Sequence, residues 1–211
     1  MKVAIVGAGN VGRSLAGSIV AGGQSVSISS SDPADAVAVA GTTGARAAAT
    51  NLEAVTGADV VILAVPTAAL IEIGRSLGSA LDGKVVVDVT NRPTPDPSGA
   101  PQLRSIAEEL QAAIPNARVV KAFNTAFASR QAQPAVDGQP VDGYVAADDD
   151  AARALVMDLV DSMGFRAIDA GPLAVARTLE GMAWLNIALQ LKHGWPWQSG
   201  WKLVGATKRA A

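Results

Sequence analysis

Three glycines near the amino terminus have the spacing of a phosphate-binding turn. Gly7, Gly9 and Gly12 form G-x-G-x-x-G between an apolar run at residues 3–6 and a stretch with helical periodicity. The first glycine permits a tight turn, the second lets the backbone approach a pyrophosphate, and the third allows close packing of a helix on a strand. The free N–H groups at the start of that helix attract phosphates, although an ordinary glycine turn is the alternative. The predicted nucleotide contacts are Gly7, Ala8, Gly9, Asn10, Val11 and Gly12.

Serines stand where a dinucleotide-binding chain commonly has an acidic residue. The second predicted strand ends in Ser29, Ser30 and Ser31, about 20 residues beyond the motif. A carboxylate there would bind a ribose 2′-hydroxyl and repel a 2′-phosphate, whereas hydroxyl groups can donate to a phosphate. The three serines therefore favour NADP over NAD, without the usual arginine partner. The alternative is that Ser31 or Asp32, before Pro33, only caps the following helix.

Composition narrows the class of protein. The chain has 211 residues, 49% of them hydrophobic, with a net charge of −2 and no cysteine. The charge argues against nucleic acid or an anionic membrane as the main partner, and the absence of cysteine excludes disulfides and zinc–thiolate sites. No apolar run reaches the ~20 residues that cross a bilayer, and no signal-peptide pattern is present. We therefore expect a cytoplasmic protein.

Apolar runs alternate with helical periodicities along most of the chain. Runs such as VVIL and VVVDV indicate parallel strands covered on both faces. We predict an α/β fold: a Rossmann-type, doubly wound, mostly parallel sheet at residues 1–125, with a small C-terminal α-rich domain at 126–211. Strands are predicted at residues 3–6, 25–29, 45–49, 58–66, 84–91, 118–123, 144–147 and 165–173. Helices are predicted at residues 34–40, 67–77, 102–114, 149–163 and 172–192, and a proline-rich loop at 92–101.

Five segments give the chain a resemblance to a known family. "GAGNVGRSLA", "LAVP", "VVDVTN", "VVKAFNT" and "DAGPLAVARTLE…LNIALQ" occur in this order, and the chain resembles NADP-dependent oxidoreductases that use the deazaflavin coenzyme F420. It is also similar to the oxidoreductase domain of six-transmembrane metalloreductases, which uses a flavin. The resemblance covers residues 1 to about 190. The chain departs from the family in two respects. After the second strand it has Ser-Ser where members usually have Ser-Arg, and its tryptophan-rich tail is not part of the family pattern.

The resemblance implies a crevice where several strands end. Residues 64–66, 91 and 121–124 would follow three neighbouring strands, and residues 171–173 would close a pocket for the second cofactor from the smaller domain. That second cofactor would be coenzyme F420, or FMN or FAD. Beyond the glycine turn and the serines, the implied cofactor-binding residues are Ala64, Val65, Pro66, Asn91, Lys121, Ala122, Asn124, Gly171, Pro172 and Leu173.

Hydride transfer between two cofactors needs no catalytic side chain. The protein must hold the two rings about 3–3.5 Å apart and exclude water, because the cofactors carry the chemistry. We accordingly predict no catalytic residue and no metal ligand, and the lone histidine, His193, is expected to be structural or exposed. The alternatives are an NADPH-dependent reductase of a small carbonyl or imine, which lacks an evident proton-donor set here, and a non-catalytic dinucleotide-binding sensor.

Several charged and apolar residues have open interpretations. Lys121 is expected to meet a phosphate or the acidic tail of a deazaflavin, with a surface lysine as the alternative. Arg177 and Glu180 have the i, i+3 spacing of an ion pair.

The helix at 172–192 is apolar on most sides, which predicts a homodimer formed largely by residues from 172 onward. The tryptophans at 195, 197 and 201 could cover the second cofactor, the core or a subunit interface.

Overall fold

The core of the protein is a sheet whose central strands are buried on both faces. The strands Val60–Leu63 and Val85–Asp88 contain no exposed residue, because helices cover both sides of a parallel sheet. The structure, a computed structural model, describes residues 1–92 and 104–205. The loop predicted at 92–101 therefore lies, after Arg92, outside the described residues.

The described elements alternate between strand and helix for most of the chain. The strands are β1 (Lys2–Val6), β2 (Ser25–Ser29), β3 (Arg46–Ala47), β4 (Val60–Leu63), β5 (Val85–Asp88), β6 (Arg118–Lys121), β7 (Ala135–Val136), β8 (Gln139–Pro140), β9 (Asp142–Ala147) and β10 (Arg166–Gly171). The helices are α1 (Asn10–Ala21), α2 (Pro33–Thr43), α3 (Asn51–Val55), α4 (Thr67–Leu77), α5 (Ile106–Ala113), α6 (Ala128–Ala132), α7 (Asp150–Ser162) and α8 (Ala176–His193). Short 3-10 helices occupy Gly78–Leu81 and Leu173–Val175.

Eight strands form one sheet in the order β10-β9-β6-β5-β4-β1-β2-β3. The strands from β6 to β3 pair in parallel, and β9 pairs antiparallel with β6 and parallel with β10. The chain winds outward from β1 to β3, then returns to β4 beside β1 and winds the other way. This confirms the predicted doubly wound, mostly parallel sheet, and it places the topological switch between β1 and β4, where such folds bind ligands.

The sheet separates two apolar layers. Along β1, Val3 and Ile5 pack with α1 and α7, whereas Ala4 and Val6 pack with α4 and α5 on the other face. This alternation is the period of two expected for a strand. The sheet does not end near residue 125, because β9 and β10 extend it, and α8 forms the helical C-terminal part. The division into two domains at that residue stays a prediction.

In residues 1–92 and 104–205, no helix is both long enough and apolar enough to cross a membrane.

Candidate functional site

The glycine turn joins β1 to α1 as its spacing predicts. Gly7 has φ +111°, and a Cβ atom there would lie 2.2 Å from the carbonyl oxygen of Ala64. A Cβ on Gly12 would lie 1.9 Å from the carbonyl oxygen of Gly7. A Cβ on Gly9, in contrast, would meet no atom of the described residues within 4 Å. The packing of the turn therefore requires Gly7 and Gly12, whereas Gly9 keeps its open side clear for an approaching ligand.

The N-terminus of α1 has free donors beside Gly9. Helix α1 begins at Asn10 with Gly9 as its N-cap, and no side chain of the described residues caps it. The first N–H groups of a helix need acceptors, and the helix dipole favours negative charge at this end. The exposed residues Gly9 and Asn10 therefore form a surface that suits a pyrophosphate.

The three serines after β2 differ in their accessibility. Ser29 is fully buried and its hydroxyl donates to Asn51 Oδ1 at 2.8 Å, so the expectation that Ser29 contacts a nucleotide is wrong for this conformation. Ser30 is half-buried and Ser31 is exposed, and both stay candidates for a 2′-phosphate. Asp32 caps α2 by accepting a hydrogen bond from Ala34 N at 2.9 Å. The capping interpretation is therefore confirmed for Asp32, and the nucleotide interpretation is confined to Ser30 and Ser31.

The ends of β5 and β6 are joined by two asparagines. Asn124 Nδ2 donates to Asn91 Oδ1 at 2.8 Å, and Asn91 Nδ2 donates to the carbonyl oxygen of Asn124 at 3.2 Å. Phe123, just before, has φ +64°, in the left-handed region that costs a residue with a side chain roughly 1–3 kcal/mol. The amide pair fixes this turn where the two strands end, so Asn91 and Asn124 lie together as predicted.

A cavity of about 160 Å³ opens beside this pair. It lies between Val11 at the start of α1, the turn after β6, and Ala183 and Ile187 of α8. Larger hollows of about 500 and 460 Å³ lie along α1 and beside the β7–β8 hairpin. Neither of these is lined by the strand ends or the glycine turn, so the smaller cavity is the better candidate for the reacting rings.

The residues that follow β4 lie at the same edge of the sheet. Ala64 is half-buried, donates its N–H to Val6 O at 2.8 Å, and turns its own carbonyl oxygen toward Gly7. Val65 is half-buried and Pro66 is exposed, where α4 begins. Ala64 and Val65 therefore adjoin Gly7 across the switch between β1 and β4, and the contacts of residues 64–66 with a cofactor stay a prediction.

Lys121 does not face a ligand, and its predicted contact with a phosphate or a deazaflavin tail is wrong. The side chain is fully buried, and its ammonium donates to Asp88 Oδ2 at 2.8 Å, to Glu180 Oε1 at 3.0 Å and to the carbonyl oxygen of Thr90. An ammonium has three N–H donors, and these three acceptors use all of them. The neighbouring Ala122 is fully buried as well. Lys121 instead joins β5, β6 and α8 inside the protein.

The predicted ion pair between Arg177 and Glu180 does not form. Arg177 Nε donates to Glu108 Oε2 at 2.8 Å, on α5, and this guanidinium lowers the pKa of Glu108 to about 2. Glu180 turns inward, where its Oε1 accepts from Lys121 and from Ile106 N at 3.0 Å. Burial raises the pKa of Glu180 above its ordinary value. The two residues fail to pair because one faces solvent and the other faces the core.

The segment before α8 contributes less to the cavity than expected. Gly171 has φ +90° with open space around it, and Pro172 is exposed. Leu173 is 2% exposed and packs in the core, and its N–H donates to Asp148 Oδ1 at 2.9 Å. None of these three residues lines the 160 Å³ cavity. Helix α8 supplies that wall of the cavity, and contacts of Gly171, Pro172 and Leu173 with the second cofactor stay a prediction.

Asp149, His193 and Trp197, in the C-terminal part of the chain, make contacts within the protein. Asp149 caps α7 by accepting a hydrogen bond from Ala152 N at 2.7 Å, so this acidic residue has a structural role at the helix terminus. The exposed His193 stacks on Trp195 with ring centroids 4.9 Å apart. Trp197 packs edge-on against Phe127 at 5.3 Å, and Phe127 lines the cavity. Of the tail tryptophans, Trp197 therefore covers the cavity rim from outside.

Sequence reasoning missed part of the cavity wall. Val89, Thr125, Gln131, Ala183 and Ile187 all line the cavity. Gln131 comes from the short helix α6, in a polar stretch without periodicity, so no local signal identified it. Ala183 and Ile187 have i, i+4 spacing on α8, which could have placed them on one face of the helix.

Comparisons with known proteins agree with the resemblance. The family model "NADP oxidoreductase coenzyme F420-dependent" matches residues 2–92. The chain is 34% identical to the F420-dependent NADP reductase of Methanothermobacter marburgensis, over 92% of this chain and 94% of that protein. It is 35% identical to metalloreductase STEAP3 of Rattus norvegicus, over 92% of this chain but only 38% of that longer protein.

A solved structure gives the same result for the whole fold. A protein from Arthrobacter sp. FB24 is 30% identical and superposes with a TM-score of 0.84, over 97% of this chain and 100% of that one. The chain belongs to the coenzyme F420-dependent NADP oxidoreductase family.

Proposed function

We propose that the protein is an oxidoreductase that transfers a hydride between NADP(H) and the deazaflavin coenzyme F420. The observation that carries this proposal is the placement of the 160 Å³ cavity, which opens between the first turn of α1 and the ends of β5 and β6. A dinucleotide bound on the glycine turn would bring its nicotinamide to this edge of the sheet. The family relationship supplies the second substrate, F420.

The side chains of the cavity support a reaction without a protein acid. Of the described residues that line it, none is ionisable: its polar members are Asn91, Asn124, Thr125 and Gln131. Reduction of a carbonyl needs a proton delivered to its oxygen together with the hydride, and an imine must be protonated before it accepts one. Reduction of F420 by NADPH also takes up one proton, but the hydride adds to a ring carbon and leaves an anion delocalised over the deazaflavin, which can take its proton from water afterwards. The cavity therefore favours the cofactor-to-cofactor reaction over the carbonyl or imine alternative.

We assign the nucleotide contacts as follows. The backbone from Gly7 to Gly12 binds the pyrophosphate, and Ser30 and Ser31 donate to the 2′-phosphate. The strand ends hold the rings and exclude water, which is what this chemistry requires of the protein. The proposed ring-contacting residues are Val11, Ala64, Val65, Pro66, Asn91 and Asn124.

Anaerobic mixing tests the proposal. NADPH is mixed with the protein and with F420, FMN or FAD in turn, while NADPH absorbance is followed. We expect oxidation of NADPH with F420, and a slower reaction or none with the two flavins. If no acceptor oxidises NADPH, the non-catalytic sensor alternative replaces this proposal.

We also propose that the protein is a cytoplasmic homodimer formed through α8. Helix α8 exposes two leucines, Leu185 at 52% and Leu191 at 69%, whereas its buried side carries Glu180, Asn186 and Gln190. A second copy of the helix would remove those leucines from water. Light scattering at micromolar concentration should give the mass of a dimer, and Leu185→Lys should give that of a monomer. The matched control is Val37→Lys, at another exposed apolar residue.

A further inference from the structure

Two buried side-chain amides in the cavity have unpaired carbonyl oxygens. Asn124 is 6% exposed and Gln131 is 1% exposed, and both line the cavity. Among the described residues, neither Asn124 Oδ1 nor Gln131 Oε1 has a hydrogen-bond partner. Buried polar atoms are nearly always paired in folded proteins, so two unpaired acceptors in one cavity call for an explanation.

The orientation of each amide is fixed by its nitrogen. Gln131 Nε2 donates to the carbonyl oxygens of Phe123 at 3.3 Å and Ala126 at 3.1 Å. Asn124 Nδ2 donates to Asn91 Oδ1. Turning either amide over would set an oxygen against these acceptors, so both oxygens are held as free acceptors.

We infer that Gln131 and Asn124 recognise the carboxamide of the nicotinamide, an inference that rests on the proposed function. A primary carboxamide carries two N–H donors, which suit two carbonyl acceptors. The pyrimidine edge of a deazaflavin carries one N–H between two carbonyl oxygens, and these would face the same acceptors unfavourably. The chemistry of the cavity therefore selects the nicotinamide over the deazaflavin for this position.

The location of the cavity agrees with this assignment. Val11, in the first turn of α1, forms one wall, so the cavity adjoins the proposed pyrophosphate site. The two oxygens are closed off from solvent. The hydrogen bonds that the carboxamide donates would offset the cost of leaving the two oxygens unpaired.

Nucleotide analogues test the assignment in the unmodified protein. Calorimetric titrations compare NADP⁺ with its 3-acetylpyridine analogue, which has no N–H, and with its nicotinic acid analogue, which carries a carboxylate. We expect NADP⁺ to bind about tenfold more tightly than the acetylpyridine analogue and the acid analogue to bind most weakly. Equal affinities for NADP⁺ and the acetylpyridine analogue would overturn the inference, and this measurement requires no substitution.

A variant then tests the residue. Gln131→Met keeps the length of the side chain but has no acceptor, so the preference for NADP⁺ over the acetylpyridine analogue should fall to about threefold or less. The matched control Gln133→Met, at an exposed residue two positions away, should keep the full preference. Both variants should bind 2′-phospho-ADP-ribose, which lacks the ring, as the unmodified protein does. An undiminished preference in Gln131→Met would overturn the role of this residue.

Titration with F420 separates the inference from the proposed function. If Gln131→Met loses affinity for F420 while its preference among the NADP⁺ analogues is unchanged, the oxygens serve the deazaflavin and the carboxamide assignment is wrong. If the unmodified protein prefers the carboxamide as expected but never reduces F420, the proposed function fails and the carboxamide assignment stands, because it depends on binding alone.

Discussion

The ammonium of Lys121 lies 3.0 Å from Glu180 Oε1 in the interior of the protein, and this ion pair attaches helix α8 to the sheet. Glu180 also accepts a hydrogen bond from the first residue of α5, Ile106. The same helix supplies the cavity wall at Ala183 and Ile187. The buried pair therefore sets the distance between α8 and the strand ends.

Removing the cation should destabilise the protein strongly. Lys121→Met leaves Asp88 and Glu180 buried without their counter-ion, and loss of one partner of a buried pair costs about 3–5 kcal/mol. Urea unfolding should show this loss. The control Lys192→Met, at an exposed residue of α8, should change the unfolding free energy by less than ~0.5 kcal/mol. A loss below ~1 kcal/mol for Lys121→Met would contradict the structural role.

Stability should depend on pH through Glu108. Its pKa is lowered from 4.5 to about 2 by Arg177 in the folded protein, so its contribution is complete above pH ~4.5 and is lost as the pH falls toward 2. Arg177→Met should destabilise the protein only modestly at neutral pH, because the arginine is 41% exposed and water screens the pair.

The measurement is urea unfolding of Arg177→Met and the unmodified protein at several pH values. The difference between their unfolding free energies should shrink as the pH falls from ~4.5 to 2. Glu180 titrates in both proteins, so its contribution cancels in this difference. The control Arg75→Met, at an exposed arginine of α4, should give no pH-dependent difference. A difference that grows on acidification would contradict the assignment.

The sequence predicted those parts of the fold that local pattern determines. Strands β1, β4, β5 and β6 are buried along most of their length, and α4 matches its predicted bounds of Thr67–Leu77. The capping box of Ser105 and Glu108 shows why α5 begins at Ile106, four residues after the predicted start. The addition of β9 and β10 to the sheet was missed, because pairing across a sheet leaves no local signal.

Lys121 shows why the site was only partly predictable. The sequence places a lysine at the end of a buried strand, but its partners Asp88 and Glu180 are 33 and 59 residues away. Only the fold shows that these acids meet it. Ser29 is similar, because its bond to Asn51 depends on where α3 packs. The glycine turn, in contrast, follows from the local spacing of its glycines, and its position between β1 and α1 was predicted.

Substitution of Gly9 should separate binding from folding. Gly9→Ala adds a Cβ into open space at φ −71°, so the unfolding free energy should fall by less than about 1 kcal/mol. The added methyl group stands where a phosphate must approach, and the affinity for NADPH should fall about tenfold or more. Fluorescence titration measures the affinity, with Gly41→Ala, also in open space, as the control. Wild-type affinity in Gly9→Ala would contradict the placement of the phosphates.

Charge at Ser30 should set the nucleotide preference. The unmodified protein should bind NADPH more tightly than NADH by about tenfold, or 1.4 kcal/mol, a modest ratio for a site without an evident arginine. Ser30→Asp should reverse the order, because a carboxylate repels the 2′-phosphate and accepts from a 2′-hydroxyl. Ser25→Asp, at the other end of β2, should change nothing. Equal affinities for both nucleotides in the unmodified protein would refute the charge argument.

Isotope transfer tests the central claim most directly. NADPH carrying deuterium at C4 of the nicotinamide, in each of its two stereoisomers, is mixed anaerobically with F420 and the protein in ordinary water, and the reduced F420 is analysed by mass spectrometry. If the hydride passes directly between the two rings, one stereoisomer should give reduced F420 with one deuterium and the other should give none. Reduced F420 without deuterium from either stereoisomer, or no reduction at all, would contradict the account.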